Sequence, residues 1–164
     1  MENFDWTQFT LRIAINSTLS NLYDAWTKAS ELEKWFLSQA DSFEPDGTLI
    51  PKNQSIQQDY RYEWNWYLYP DVEMGTFTEA NGKNSLQFTF AGQCLVDISL
   101  TEQGDFVIVE LTQKNIPTDD SSKKNIRLGC HGGWSFYLVN LKSVYEGGLD
   151  LRNKNTDLKP MLNN

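Results

Sequence analysis

From Trp6 to Ile15 apolar and polar residues alternate, with Phe9, Leu11, Ile13 and Ile15 on one face and Thr10, Arg12 and Ala14 on the other. A period of two predicts a first strand with one buried side. The period then lengthens. Ser17-Thr18 offers an N-cap, and Leu19, Leu22, Tyr23 and Trp26 follow at helical spacing. Ser30 with Glu33 three residues on predicts a capping box opening a second short helix, which carries Leu32, Trp35 and Phe36 toward the core. Between Leu37 and Ser55 the pattern weakens; Pro45-Asp46-Gly47 and Pro51 there predict a strand, a turn and a loop.

Tyr60, Tyr62, Trp64, Trp66 and Leu68 alternate with Arg61, Glu63, Asn65 and Tyr67. In a strand this spacing sets four aromatic rings in a row on one face. Hairpins follow: Val72–Thr78, the turn dipeptide Asn81-Gly82, then Leu86, Phe88 and Phe90 on the return. A turn near Ala91-Gly92-Gln93 leads to Cys94, Val96, Ile98 and Leu100, and Glu102-Gln103-Gly104-Asp105 leads to Val107, Val109 and Leu111. This is an antiparallel meander without crossover units.

Pro117 closes the last strand, and Thr118, Asp119 or Asp120 can cap a long helix running to about Glu146. Trp134, Leu138, Leu141 and Tyr145 share one face of it, and Gly147-Gly148 stop it. Gly129, Gly132 and Gly133 lie inside it. Each costs about 1 kcal/mol relative to alanine, so a kink or a neighbour too close for a Cβ is predicted there. The expected organisation is one domain over residues 1–148 and a polar tail over 149–164, with Leu151, Leu158 and Met161 among its few large apolar residues.

Composition narrows the function classes. At 164 residues with 13% aromatic side chains, the chain has material for one well-packed core. Lys+Arg 14 against Asp+Glu 22 leaves a net charge of −8 and no extended basic block, which disfavours nucleic acid and anionic membrane as partners. Lys123-Lys124 with Arg127 reads as a solvated helix face. Met1-Glu2-Asn3-Phe4-Asp5 lacks the features of a secretion signal, no apolar run is long enough for membrane insertion, and two distant cysteines make no disulfide framework. A cytoplasmic location is the expectation.

No catalytic set emerges. Cys130 and His131 are adjacent, but neighbours on a helix point about 100° apart, which is poor geometry for a base activating a thiol. Cys94, Cys130 and His131 fall short of a zinc site in number and spacing, so no metal is expected. Glu63 falls opposite the aromatic row, and no glycine-rich phosphate loop follows a strand, so no nucleotide or other cofactor is expected either.

The sequence does carry a resemblance. Tyr23-Asp24-Ala25-Trp26-Thr27, then Glu31-Leu32-Glu33-Lys34-Trp35-Phe36, is similar to the opening helix pair of the homologues of the activator of the heat-shock protein 90 ATPase. Gly75, the strand Leu86-Gln87-Phe88-Thr89-Phe90, and Gly133-Trp134, Leu138, Leu141-Lys142 and Glu146-Gly147-Gly148 resemble that family's later motifs in order and spacing, so the resemblance covers about Phe9 to Gly148. It implies an α+β helix-grip fold of the START, SRPBCC and Bet v 1-like superfamily: two short helices after strand one, and a curved antiparallel sheet around the long C-terminal helix. It also implies a hydrophobic cavity between sheet and helix. In that frame Trp35, Tyr62, Trp64, Trp66, Phe88, Phe90, His131, Trp134 and Leu138 are the candidate lining residues; the same rings also suit plain core filling.

Three functions stay open. The first is a binding domain for a hydrophobic or aromatic small molecule or lipid, with no catalysis. The second is a chaperone-associated interaction domain with a stress-response role, as the family's activators suggest, although those carry a further domain absent here. The third is an enzyme of the superfamily's cyclase or hydratase kind. Sheet edges and the tail also allow a homodimer.

Overall fold

The computed structural model describes residues 4–164. Residues 1–3, part of the segment read for a secretion signal, lie outside the described residues. Strand β1 (Phe9–Ile15) buries Phe9 and Ile15, with Leu11 and Ile13 half-buried on the same face. Helix α1 (Leu19–Thr27) starts at Thr18, whose side chain accepts from Asn21 N–H at 3.1 Å.

Helix α2 (Ala29–Trp35) departs from the sequence expectation, because Ser30 and Glu33 form no capping box. The helix begins two residues earlier, with Lys28 as an N-cap that makes no side-chain bond. Glu33 instead accepts from the Ala40 amide at 3.0 Å and from the Lys52 ammonium, and the Ser30 amide donates to Lys52 O at 2.9 Å. A cation and a strand amide, both brought in by tertiary structure, displace the local cap.

Among the described residues seven strands form one antiparallel sheet in the order β1-β7-β6-β5-β4-β3-β2. The others are β2 (Gln39–Phe43), β3 (Arg61–Asn65), β4 (Glu73–Ala80), β5 (Ser85–Phe90), β6 (Cys94–Gln103) and β7 (Phe106–Lys114). The hairpin β6–β7 turns at Gly104-Asp105, so β6 takes in Glu102 and Gln103, which the sequence pattern assigns to the turn. Tyr62 stands opposite Gly75 across β3 and β4. A Cβ on Gly75 would lie 2.5–2.6 Å from the Tyr62 ring and hydroxyl, so glycine is required for the ring to cross its neighbour strand.

Asp119 caps the final helical stretch, its carboxylate accepting from Ser122 N–H at 3.0 Å. The stretch opens with a helical turn α3 (Asp120–Ser122), loosens into a π-helical segment over Lys123–Leu128, and continues as α4 (Gly129–Tyr145). The glycines are thus neither a break nor a close approach. The irregularity lies one turn upstream, and a Cβ on Gly132 or Gly133 would meet nothing within 4 Å.

After Gly148 the chain folds back onto the domain. The Arg152 guanidinium, 1% exposed, donates to Leu37 O at 2.8 Å and Glu33 O at 2.9 Å, satisfying carbonyls at the end of α2. Asp150 pairs with it at 2.8 Å. Buried Asn140 ties α4 to both regions, donating to Trp35 O at 2.7 Å and accepting from Leu151 N–H at 2.8 Å. The residues after Leu149 thereby act as structure, through Arg152 and Asp150, for which apolar periodicity carries no signal.

Candidate functional site

The aromatic row of β3 divides into two parts. Tyr62 stacks on Trp64 with centroids 3.8 Å apart, and Trp64 meets Phe88 edge-on at 5.3 Å. All three are at most 1% exposed. Trp35 is sealed elsewhere in the core, its indole N–H donating to Ala25 O at 3.0 Å, and Leu138 is buried. His131 packs edge-on against Phe9 at 5.2 Å while its neighbour Cys130 faces another direction, so the pair is not joined as base and nucleophile. These six candidates, Tyr62, Trp64, Phe88, Trp35, Leu138 and His131, do not line the cleft that the other three share.

The remaining three, Trp66, Phe90 and Trp134, come together around a half-open cleft of about 590 Å³ at one end of the sheet. Phe36 knits them: it stacks on Trp134 at 5.0 Å and meets Trp66 at 5.4 Å and Tyr137 at 4.9 Å, both edge-on. Phe90 lies 5.1 Å from Trp134. The volume falls in the range of small-molecule sites.

Three local features make the hollow. Strand β3 ends at Asn65, and Leu68 then adopts a left-handed φ of 63°, turning the chain so that Trp66 and Tyr69 both reach the cleft. Ala91, also lining it, has φ of 52°. Such backbone costs a non-glycine residue about 1–2 kcal/mol. Third, Gly129 and Gly133 sit one helical turn apart on the face of α4 that continues to Tyr137, and they leave that wall bare at two positions among the side chains of Cys130, Trp134 and Tyr137.

The far side is made by the chain's last residues. Met161 and Leu162 line the cleft, and the Tyr137 hydroxyl donates to the main-chain oxygen of Asn164. Burial pushes the Tyr137 phenol well above its ordinary value, the nearby Arg152 charge pulling it part-way back. Burial likewise pushes the Cys130 thiol up to about 11, with the Gln113 amide partly offsetting it, which keeps the thiol protonated and poorly nucleophilic at neutral pH. Gln113, fully buried on β7, accepts from the Trp134 indole N–H at 3.0 Å and fixes that ring.

Glu73 at the start of β4 is the half-buried acid of the site. One carboxylate oxygen accepts from Ala91 N–H at 2.7 Å, yet burial still raises its pKa above the usual carboxylate value. Sequence reasoning missed Phe36, Tyr69, Glu73 and Tyr137 as cleft residues. The spacing Gly129, Gly133, Tyr137 is a signal that could have marked the wall of α4, where the sequence pattern predicts only a kink or close approach; nothing local marks Glu73. Among the described residues no three His, Cys, Asp or Glu side chains converge as a metal site, and no helix is long and apolar enough to cross a membrane.

A curved antiparallel sheet closed by a long C-terminal helix, with two short helices after the first strand, defines the helix-grip class. Within it, the chain belongs to the family described as Activator of Hsp90 ATPase homolog 1-like protein, whose model matches residues 16–146. No curated protein matches the chain. Among solved structures it is similar to SSP2350 from Staphylococcus saprophyticus, at 14% identity and TM-score 0.68 over 88% of this chain and 96% of that one. The Aha1 dimer from Colwellia psychrerythraea shares 17% identity, TM-score 0.66, over 86% and 97%. DynU16, from the dynemicin biosynthetic locus, shares 13% identity, TM-score 0.69, over 90% and 50%. At these identities the likeness establishes the fold.

Proposed function

We propose that the protein is a small-molecule binding domain whose site is the cleft between Trp66, Phe90, Trp134 and the glycine-lined wall of α4. The observation that carries this reading is the pair of bare positions in the α4 wall: Gly129 and Gly133 forgo about 1 kcal/mol of helix stability each, and a Cβ on Gly133 would meet nothing within 4 Å. A cost without a packing gain is expected where the space is used. A ligand burying about 200 Å² of apolar surface there would gain about 5 kcal/mol from transfer out of water, before the cost of association. In this reading residues 1–148 make the domain and residues 149–164 close one side of its site.

Gly133→Leu is the test, since it fills the cleft without a backbone clash. Native mass spectrometry of the purified protein should show a co-purifying mass that is lost on denaturation and absent from the variant. The same mass on Gly133→Leu, with unchanged affinity, sinks the cleft as the site.

Family membership favours a second reading, in which the surface engages a chaperone. Co-purification with heat-shock protein 90 and a changed ATPase rate of that chaperone would support it. Unchanged ATPase and no complex would remove it. The Colwellia neighbour is a dimer; self-association of this chain is proposed on the same footing, with sedimentation velocity as its check.

A further inference from the structure

The charge of the cleft is one-sided. Asp71 and Glu73 line it, and among the described residues no Lys, Arg or His does. Among the described residues neither acid has a cationic partner within salt-bridge distance. Glu73 is held in place by the Ala91 amide, so its carboxylate is aimed by the fold and is not a freely rotating surface group. The electron-rich rings of Trp66 and Phe90, 6.3 Å apart and 71° from parallel, line the same cleft, with exposed Tyr69 beside them.

Each part of this arrangement selects against an anion. A fatty acid or other carboxylate entering here would leave water for a site holding two like charges and no donor cation. A cation meets the opposite field: an aimed carboxylate, a second at the rim, and aromatic faces whose quadrupoles attract positive charge. The remaining surface, from Phe36, Trp134 and Met161, suits an apolar body.

Resting on the ligand-binding reading of the cleft, we infer that its ligand is a cation, an amine or quaternary ammonium carried on an aromatic or aliphatic body. The charged nitrogen sits against Glu73 beside Trp66 and Phe90, and the body lies along Trp134 toward the glycine wall of α4.

Three indole probes of similar size separate the alternatives by isothermal titration: tryptamine (cation), 3-ethylindole (neutral) and indole-3-propionate (anion). Tryptamine is expected to bind at least 10-fold tighter than the anion. Glu73→Gln, which keeps the shape and the acceptor for Ala91 N–H, should bring tryptamine to the level of the neutral probe and leave the neutral probe unchanged. Near-UV circular dichroism of the variant guards against misfolding. Equal binding of all three probes, or preference for the anion, overturns the cation assignment while leaving the cleft as a site. Binding of none at millimolar concentration overturns both.

Discussion

The two halves of the β3 aromatic row behave as different materials. Around Tyr62, Trp64, Phe77 and Phe88 the rings lie against one another at centroid separations of 3.8–6.2 Å and are sealed from solvent. Around Trp66 and Phe90, two residues further along the chain in each case, rings of the same kind stand partly exposed beside a cleft of about 590 Å³. Residue type does not separate the two regions. What stands opposite does: at Tyr62 the neighbour is Gly75, over which the ring closes, whereas Gly129 and Gly133 on α4 leave open space. A glycine can admit a ring or leave a hollow, and only the surrounding geometry says which.

Truncating one ring from each half is the largest test of that difference. Phe88→Ala should cost about 4 kcal/mol in urea unfolding, since it opens a cavity in a closed core. Phe90→Ala should cost less than about 2 kcal/mol, because that ring already lacks partner atoms on one side. Equal losses would mean that the two halves are packed alike.

Smaller effects of opposite sign are expected at the glycines. Gly75→Ala forces a methyl to within 2.6 Å of a ring that is itself stacked at 3.8 Å on Trp64 and hydrogen-bonded to Thr89 O. Overpacking of this kind should destabilise by about 3 kcal/mol. Gly133→Ala has free space and a helical backbone, so it should raise stability by about 1 kcal/mol while weakening any ligand of the cleft. A destabilising Gly133→Ala would remove the contrast between a glycine needed for packing and one that leaves room.

The smallest effect concerns Glu73. Burial raises its folded pKa above the ordinary 4.5, so ionisation is harder in the folded state. Stability is then lost as pH rises from the unfolded value through the folded one, the unfolded chain releasing its proton first. Glu73→Gln should therefore stabilise the ligand-free protein at neutral pH, with the gain vanishing well below pH 4.5, where the carboxyl is protonated in both states. Thermal melts of both proteins across pH 3.5–7.5, a range spanning the carboxylate titration, check the sign. A pH-independent difference would mean that Glu73 is fully solvated.

Much of this molecule is legible in the linear chain because its causes are local. Alternation from Phe9 to Ile15, the Thr18 cap, the Asn81-Gly82 and Ala91-Gly92 turns and the Asp119 cap each depend on a few neighbouring residues. Together with the motif order they establish the helix-grip fold and the family. Tertiary structure decided the rest. It drew Glu33 away from its capping box to Ala40 and Lys52, and it buried Arg152 against the carbonyls of α2. It also split one aromatic row into core and cleft. Periodicity reports which face of an element is apolar, but whether that face meets a partner or a hollow depends on the volume of residues far away in sequence. The space before Trp66 is walled in part by glycines that α4 presents some 65 positions later.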